Sequence, residues 1–295
     1  MVSGGHERFL DLARNLVPLP LTTLKVLERL GERYKYDTIL KPPEHPKRSI
    51  EEPDVLGFDM EWDYKTDKLL SVQLAWYEGD EPTAHVFYRG REFNEVTKSK
   101  LLDLIHKSLW RRARPIIMLV SYFATGDIGH IQDAMKDFYL RPYSRALFAE
   151  TGFEFKPDPL EDEVGLTGKA DYRKLTLRVT DLYGFLRGGL DKVAKSIGLK
   201  EIGLEKVQLE GFHNKSEEYW KQNMGEFLKK YPKEFERYSK TDALITLIAY
   251  TRFREFFKRE YGIDIVNFQT ASSLSTYLFR TRLPQGRRRP DVRSP

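Results

Sequence analysis

One stretch constrains the fold more than any other. In Gly57-Phe58-Asp59-Met60-Glu61-Trp62-Asp63, an apolar run led by Val55, Leu56 and Phe58 ends in two carboxylates one residue apart. After Tyr64-Lys65-Thr66-Asp67 comes Leu69-Leu70-Ser71-Val72-Gln73-Leu74-Ala75-Trp76, so the pattern predicts two strands joined by a turn. Side chains alternate sides along a strand, which puts Asp59 and Glu61 on one face. Like charges that close repel each other, and a cation between them is the natural remedy. Taken alone, the pair fits either an exposed edge strand or a metal site.

The rest of the chain reads as α/β. Ala84 to Tyr88 is a third strand, and Thr97 to Arg112 an amphipathic helix with Leu101, Leu102, Leu104, Ile105 and Leu109 as its stripe and Thr97 or Ser99 as its cap. Pro115 to Tyr122 is a mostly continuous apolar run, as in a strand buried on both faces. Strand–helix–strand order predicts a mixed or parallel sheet with helices against it. Asp127 falls just past that buried strand, near a helix start, where it fits either a helix N-cap or a ligand position at the end of an α/β sheet. Residues 143–172 read as an irregular surface insertion or a short hairpin, Leu175–Asp181 as a strand, Gly188–Leu199 as a short helix ended by Gly198, 200–215 as loop and 216–229 as a helix. Pro232 opens a long helix that runs to about Tyr261 and stops at Gly262. On it Tyr238 and Asp242 are four apart and share a face with Ile245, Thr246 and Ala249; a carboxylate there is costly to bury unless paired or bound to a metal, and at the edge of the stripe it could stay solvated.

Residues 1–48 form an expected helical extension with a Pro-rich linker, 49–265 the main domain, and 266–295 a C-terminal helix and basic tail. The whole net charge of +5 falls in the last sixteen residues, which hold six arginines, Arg287, Arg288 and Arg289 among them, against Asp291. Such a tail either neutralises phosphates or serves as a solubilising terminus. There are no cysteines, which removes disulfides, thiolate metal sites and a cysteine nucleophile, so any metal is held by oxygen or imidazole. The six histidines are scattered, which favours oxygen ligands and hence Mg²⁺, Mn²⁺ or Ca²⁺ over zinc. No apolar run approaches the ~20 residues of a membrane helix, and the N-terminus lacks a signal-peptide pattern, so the expected location is cytoplasmic with no membrane partner.

Asp59 and Glu61 on a first strand, Asp127 after a buried strand, and Tyr238 with Asp242 on a late helix occur in the order that resembles the 3′–5′ exonucleases of the DEDD superfamily, in the branch with tyrosine in the third motif. Within it the chain is most similar to the proofreading domain of family B DNA polymerases of protein-primed and mobile-element type, over roughly residues 53–282. Two departures stand out. Phe123 lies where those polymerases often carry Asn, and Gly189-Leu190 where they carry Ser/Thr-Leu.

The resemblance implies an RNase H-like mixed central sheet flanked by helices. It also implies hydrolysis of single-stranded DNA 3′ ends to nucleoside monophosphates by two divalent cations, Mg²⁺ or Mn²⁺, about 4 Å apart. Asp59 would bridge both ions, Glu61 and Asp242 complete the first and Asp127 serve the second. Tyr238 would orient the attacking water. Lys206, in Lys206-Val207-Gln208-Leu209, would touch the scissile phosphate unless it is a plain surface lysine. Met60, Phe123 and Leu190 would stack on or wedge terminal bases, while Phe58 is expected in the core. No polymerase active-site motif is present, so the chain is expected to be a stand-alone nuclease or the proofreading part of a split or truncated polymerase, with a separate polymerase chain as partner. The competing expectations are a nucleic-acid- or polymerase-binding module that does not cut, and an RNase D-like exonuclease on RNA.

Overall fold

A computed structural model describes residues 52–109, 116–143, 146–155, 173–199, 203–204, 206–210 and 212–282. The expected helices of residues 1–48 and the arginines at 287–289 lie outside the described residues. Glu51–Asn267 form one compact unit, and the described residues beyond it belong to another, where α8 (Ala271–Arg282) stands with Tyr277 against Phe268 at a ring separation of 5.2 Å.

The architecture is α/β, with one mixed sheet flanked by helices, of which α3 (Ala134–Asp137) and α4 (Leu190–Ser196) are short. The strands are β1 (Asp54–Asp63), β2 (Lys68–Glu78), β3 (Glu81–Tyr88), β4 (Ile116–Ser121), β5 (Tyr139–Tyr143), β6 (Ala146–Phe155) and β7 (Arg173–Asp181), in spatial order β3-β2-β1-β4-β7-β6-β5. β1, β4 and β7 run parallel at the centre, and β2 is antiparallel to both of its neighbours. The five strands β3-β2-β1-β4-β7 are compatible with an RNase H-like arrangement. β5 and β6 form an antiparallel hairpin that extends the sheet beyond β7. The sequence reading gives residues 143–172 as an irregular insertion or a short hairpin; within it Ala146–Phe155 is a strand paired with β5 and β7.

The alternation of β1 sorts its two faces. Leu56, Phe58 and Met60 enter the main core with Val72, Leu74 and Leu119, covered by α1 (Lys98–Leu109) through Leu101, Leu104 and Ile105. The Thr97 hydroxyl accepts from the Lys100 N–H at 3.1 Å and caps that helix. The opposite face of β1 carries Val55 and Gly57 against α7 (Pro232–Tyr261), where Ala243 and Leu247 pack with Ala75 of β2. Pro232 does open α7, and Gly262, at φ 65° in the left-handed region, closes it. Beyond the helix, Arg254 grips Asp264 with two hydrogen bonds of 2.7 and 2.6 Å, and Lys258 adds a third contact at 3.0 Å.

The helix expected over 216–229 is two helices, α5 (Glu217–Gln222) and α6 (Met224–Lys230). Asn223 breaks them with non-helical backbone angles, and its side-chain amide donates to the Tyr219 carbonyl at 2.7 Å. The break lets Trp220, Met224 and Phe227 all reach one cluster with Leu209, Phe235 and Tyr238.

α7 lies so close to β1 that a Cβ on Gly57 would come 2.1 Å from the Ala243 carbonyl oxygen and 2.9 Å from the Leu247 Cβ. A backbone oxygen cannot swing aside as a side chain can. Gly57→Ala is expected to cost about 1–3 kcal/mol through overpacking, read as a melting temperature several degrees lower. An unchanged melting curve would show that the helix can lift without loss.

Candidate functional site

Asp59 and Glu61 continue the face of β1 that begins with Val55 and Gly57, so both carboxylates point toward α7. Directly opposite on β2 stand Gln73 and Ser71, both fully buried, with the Gln73 amide donating to the Ser71 hydroxyl at 2.6 Å. Asp59 and Glu61 are both half-buried. Asp63, the last residue of β1, closes the strand: its carboxylate accepts from the Thr66 N–H and hydroxyl, each at 3.0 Å, and from the Gly225 N–H at 2.9 Å. Burial works against its charge, but these donors win and hold it below the usual carboxylate range.

Asp127 lies in the first turn of α2 (Ala124–Gly129), which starts directly after β4. It is not the cap of that helix; Phe123 occupies the cap position and offers no side-chain hydrogen bond. The ladder between β1 and β4 ends at the Gly57–Val120 pair. Past that point the Met60 N–H bonds to the Asp127 carboxyl, and the Ser121 hydroxyl donates to its Oδ2. Ser121 in turn accepts from the Phe123 N–H at 3.1 Å. The place where β1 and β4 part is thus filled by a carboxyl group, at the C-terminal ends of parallel strands.

Tyr238 and Asp242 project from one face of α7, as their spacing predicts, and both are buried, Asp242 being 7 % exposed. The Lys206 ammonium lies 2.9 Å from Asp242 Oδ2 and 5.7 Å from the centre of the Tyr238 ring. Asp242 Oδ1 has no hydrogen-bond partner. The segment bearing Lys206 has no regular secondary structure; Leu209 anchors it in the Tyr238 cluster, and Leu204 packs against the cluster of Leu190, Ala194, Leu199, Ile245 and Ile248.

These groups sense each other. Burial pushes Asp59 well above the usual carboxylate range, and the charges of Glu61, Asp127 and Asp242 push it further, opposed by Lys206. Glu61 is raised by burial and then by Asp242 and Asp127, against Lys206 and Lys221. Asp127 is pushed up to about 8, chiefly by burial and partly by Asp181. Asp242 is raised by burial although Lys206 opposes the shift. For Lys206 itself burial disfavours the charge, yet Asp242 and the carboxylates beyond it keep the ammonium firmly protonated. Burial and the neighbouring Glu61, Asp242 and Asp59 raise Tyr238 far enough that its phenol is neutral at physiological pH.

Among the described residues, no three Asp, Glu or His side chains are already arranged as an ion cage; Lys206 holds Asp242 instead. The donor chemistry nevertheless suits a hard divalent ion. The charges of Glu61, Asp127 and Asp242 all bear on Asp59, no cysteine is available as a ligand, and one buried oxygen, Asp242 Oδ1, has nothing to bond.

Two expected substrate contacts are corrected. Met60 is 2 % exposed and packs in the main core, because strand alternation turns it away from Asp59 and Glu61. Leu190 is likewise buried, in the cluster beside α7. Phe123 is 54 % exposed and free to meet a ligand. Near it is an aromatic group that sequence reasoning misses: Trp62 stands 4.5 Å from the His130 ring and 5.6 Å from Tyr64, itself 63 % exposed. Gly126 ties the two together, since a Cβ there would meet both the Phe123 and Trp62 rings within 3.0 Å. Ser121 and Lys221 are also missed. Ser121 ends an otherwise apolar run, which is the one signal that could have found it.

No protein-family model matches the chain, and no curated protein matches it. Among the described residues no helix is long and apolar enough to cross a membrane.

The raised carboxyl of Asp127 has a pH signature. The unfolded chain loses that proton near 3.8 and the folded chain near 8. The stability linked to the bound proton is therefore present below about 4 and is lost as pH rises through about 8. The melting temperature of metal-free protein should fall over that window, and Asp127→Asn should flatten the fall. A melting temperature that climbs with pH across the same range would contradict the assignment.

Proposed function

We propose that the chain is a metal-dependent 3′–5′ exonuclease that hydrolyses single-stranded DNA ends to nucleoside monophosphates. One observation carries this reading: Asp59 and Glu61 from β1, Asp127 from α2 and Asp242 from α7 stand near enough for their charges to repel one another, with Tyr238 and Lys206 beside them. Phosphodiester hydrolysis needs countercharge for the attacking and leaving oxygens, and hard cations held by carboxylates are a general means of providing it.

Asp59, Glu61, Asp127 and Asp242 would hold the ions. Divalent cations bound there would supply an activated water and a countercharge for the leaving 3′ oxygen. Tyr238, neutral and buried beside Glu61 and Asp242, orients the attacking water through its hydroxyl rather than removing a proton. Lys206 stays charged and offers its ammonium to the scissile phosphate. Phe123 and Tyr64 present open ring faces on which unpaired bases stack. The enzyme works alone or as the proofreading part of a family B polymerase whose polymerising chain is separate; copurification with such a chain would mark the second case.

A second reading, a nucleic-acid grip without cleavage, is favoured by the Lys206–Asp242 pair, which closes one ligand position. A 5′-labelled oligonucleotide with Mg²⁺ or Mn²⁺ separates the two. The nuclease yields a ladder shortening from the 3′ end that Asp59→Ala and Asp242→Ala each abolish, and Tyr238→Phe slows by about 10²-fold or more. The grip yields binding that survives Asp242→Ala and no ladder in any metal. Matched DNA and RNA ends in the same assay set the preferred sugar, and faster RNA cleavage would move the enzyme to the RNase D-like activity.

Stacking has its own readout. Phe123→Ala should weaken binding of a single-stranded oligonucleotide by about 5- to 150-fold, the equivalent of one base–aromatic stack, without lowering the melting temperature of so exposed a residue. Unchanged affinity would remove Phe123 from the substrate path.

A further inference from the structure

We infer that Lys206 is a displaceable counter-ion: its ammonium neutralises Asp242 while the carboxylates hold no divalent cation, and it is released toward the phosphodiester when they do. The inference rests on the ion-binding half of the function proposed above.

Three observations lead to it. Lys206 and a divalent ion need the same oxygens. Its Nζ is 2.9 Å from Asp242 Oδ2, and its charge also reaches Asp59 and Glu61. Four neighbouring carboxylates cannot all be ionised beside so little positive charge without great cost; in the metal-free chain Lys206, with Lys221 as the weaker second ammonium, is the principal group that offsets them. Next, Asp242 is only half satisfied. Oδ2 has the ammonium and Oδ1 has nothing, although both belong to a buried carboxyl group. A permanent ion pair built for stability would satisfy both oxygens.

The last observation is the way the lysine is mounted. Leu204 and Leu209 fix the segment on either side of it, in two separate apolar clusters. The backbone is held while the four-carbon stem remains free to redirect its head. A resting place lies within reach: the Tyr238 ring, which the ammonium already faces at 5.7 Å. The ammonium can thus leave Asp242 without losing every favourable contact, and it arrives beside the residue proposed to orient water.

The arrangement has a functional consequence. A resident monovalent cation lowers the affinity of the site for divalent ions when no substrate is present. An incoming phosphodiester accepts the displaced ammonium and so favours ion binding. Substrate and divalent ion then bind cooperatively, and the lysine is the element they share.

Mn²⁺ alone is the probe for the first step, with free Mn²⁺ followed by electron paramagnetic resonance and stability by thermal denaturation. Lys206→Met should bind Mn²⁺ at least about tenfold more tightly than the wild type, because a positive charge next to the ion has been removed. Its metal-free form should melt lower than the wild type, and saturating Mn²⁺ should raise it by a larger increment. Lys206→Arg keeps the charge and should bind Mn²⁺ no more tightly than the wild type. Should Lys206→Met fail to fold, Lys206→Gln makes the same comparison with a side chain that can still hydrogen-bond Asp242. Equal or weaker Mn²⁺ binding in the neutral variants overturns the counter-ion role and leaves the carboxylate site intact. Absence of Mn²⁺ binding in wild type and neutral variants alike overturns the ion-binding reading itself, and the inference with it.

Discussion

The close approach of α7 to β1 at Gly57 is the contact on which the rest depends. A helix lying over a sheet is usually held off by the side chains between them. Here the strand offers no side chain, and the Ala243 carbonyl occupies the space a Cβ would take. Asp242 is the residue before Ala243, and Asp59 is two residues after Gly57 on the same face of the strand. The missing Cβ is therefore what brings a carboxylate on a helix into the field of a carboxylate on a strand. The buried Ala75–Ala243–Leu247 packing then pays the energetic cost of keeping the charges together.

That cost is concentrated at one end of the sheet. The central parallel strands bring their C-terminal ends together, and β1 and β4 separate after Gly57 and Val120. Asp127 enters the gap and is steadied by Ser121 and the Met60 N–H. On the far side, Asp63 ties the end of β1 to the following turn and to α6. The strand is thus fixed before and after its two carboxylates, which leaves Asp59 and Glu61 little freedom to retreat from each other. A rigid frame around mutually repelling groups is a general route to raised carboxyl pKa values and to a site that gains from an added cation.

Much of this was legible in the sequence where the signal is local. Period-two alternation put Asp59 and Glu61 on one face, and period-3.6 spacing paired Tyr238 with Asp242. Pro232 and Gly262 marked the ends of the long helix because each acts through its own backbone. The same alternation argues against Met60 as a substrate contact, since it faces away from Asp59. The Trp62–His130 ring contact was not legible, because it joins residues far apart in the chain, one at the end of β1 and one just after α2. Nor was the split between α5 and α6, where helix propensity runs on through 216–229 and only the pull of Trp220, Met224 and Phe227 toward one cluster explains the break. Lys206 stood out in the sequence only by resemblance to a motif. Its position on Asp242 comes from Leu204 and Leu209, two ordinary leucines whose clusters are assembled from distant segments.

In the function proposed above, the four carboxylates serve one hydrolytic centre for phosphodiesters at a 3′ end. The decisive measurement is the mass of the product released from a single-stranded oligonucleotide in ¹⁸O-labelled water with Mn²⁺. Such a centre releases nucleoside 5′-monophosphates that each carry one ¹⁸O in the phosphate, because water attacks phosphorus and the 3′ oxygen leaves with the shortened strand. Release of 3′-phosphorylated or cyclic nucleotides, or no release at all, would contradict it.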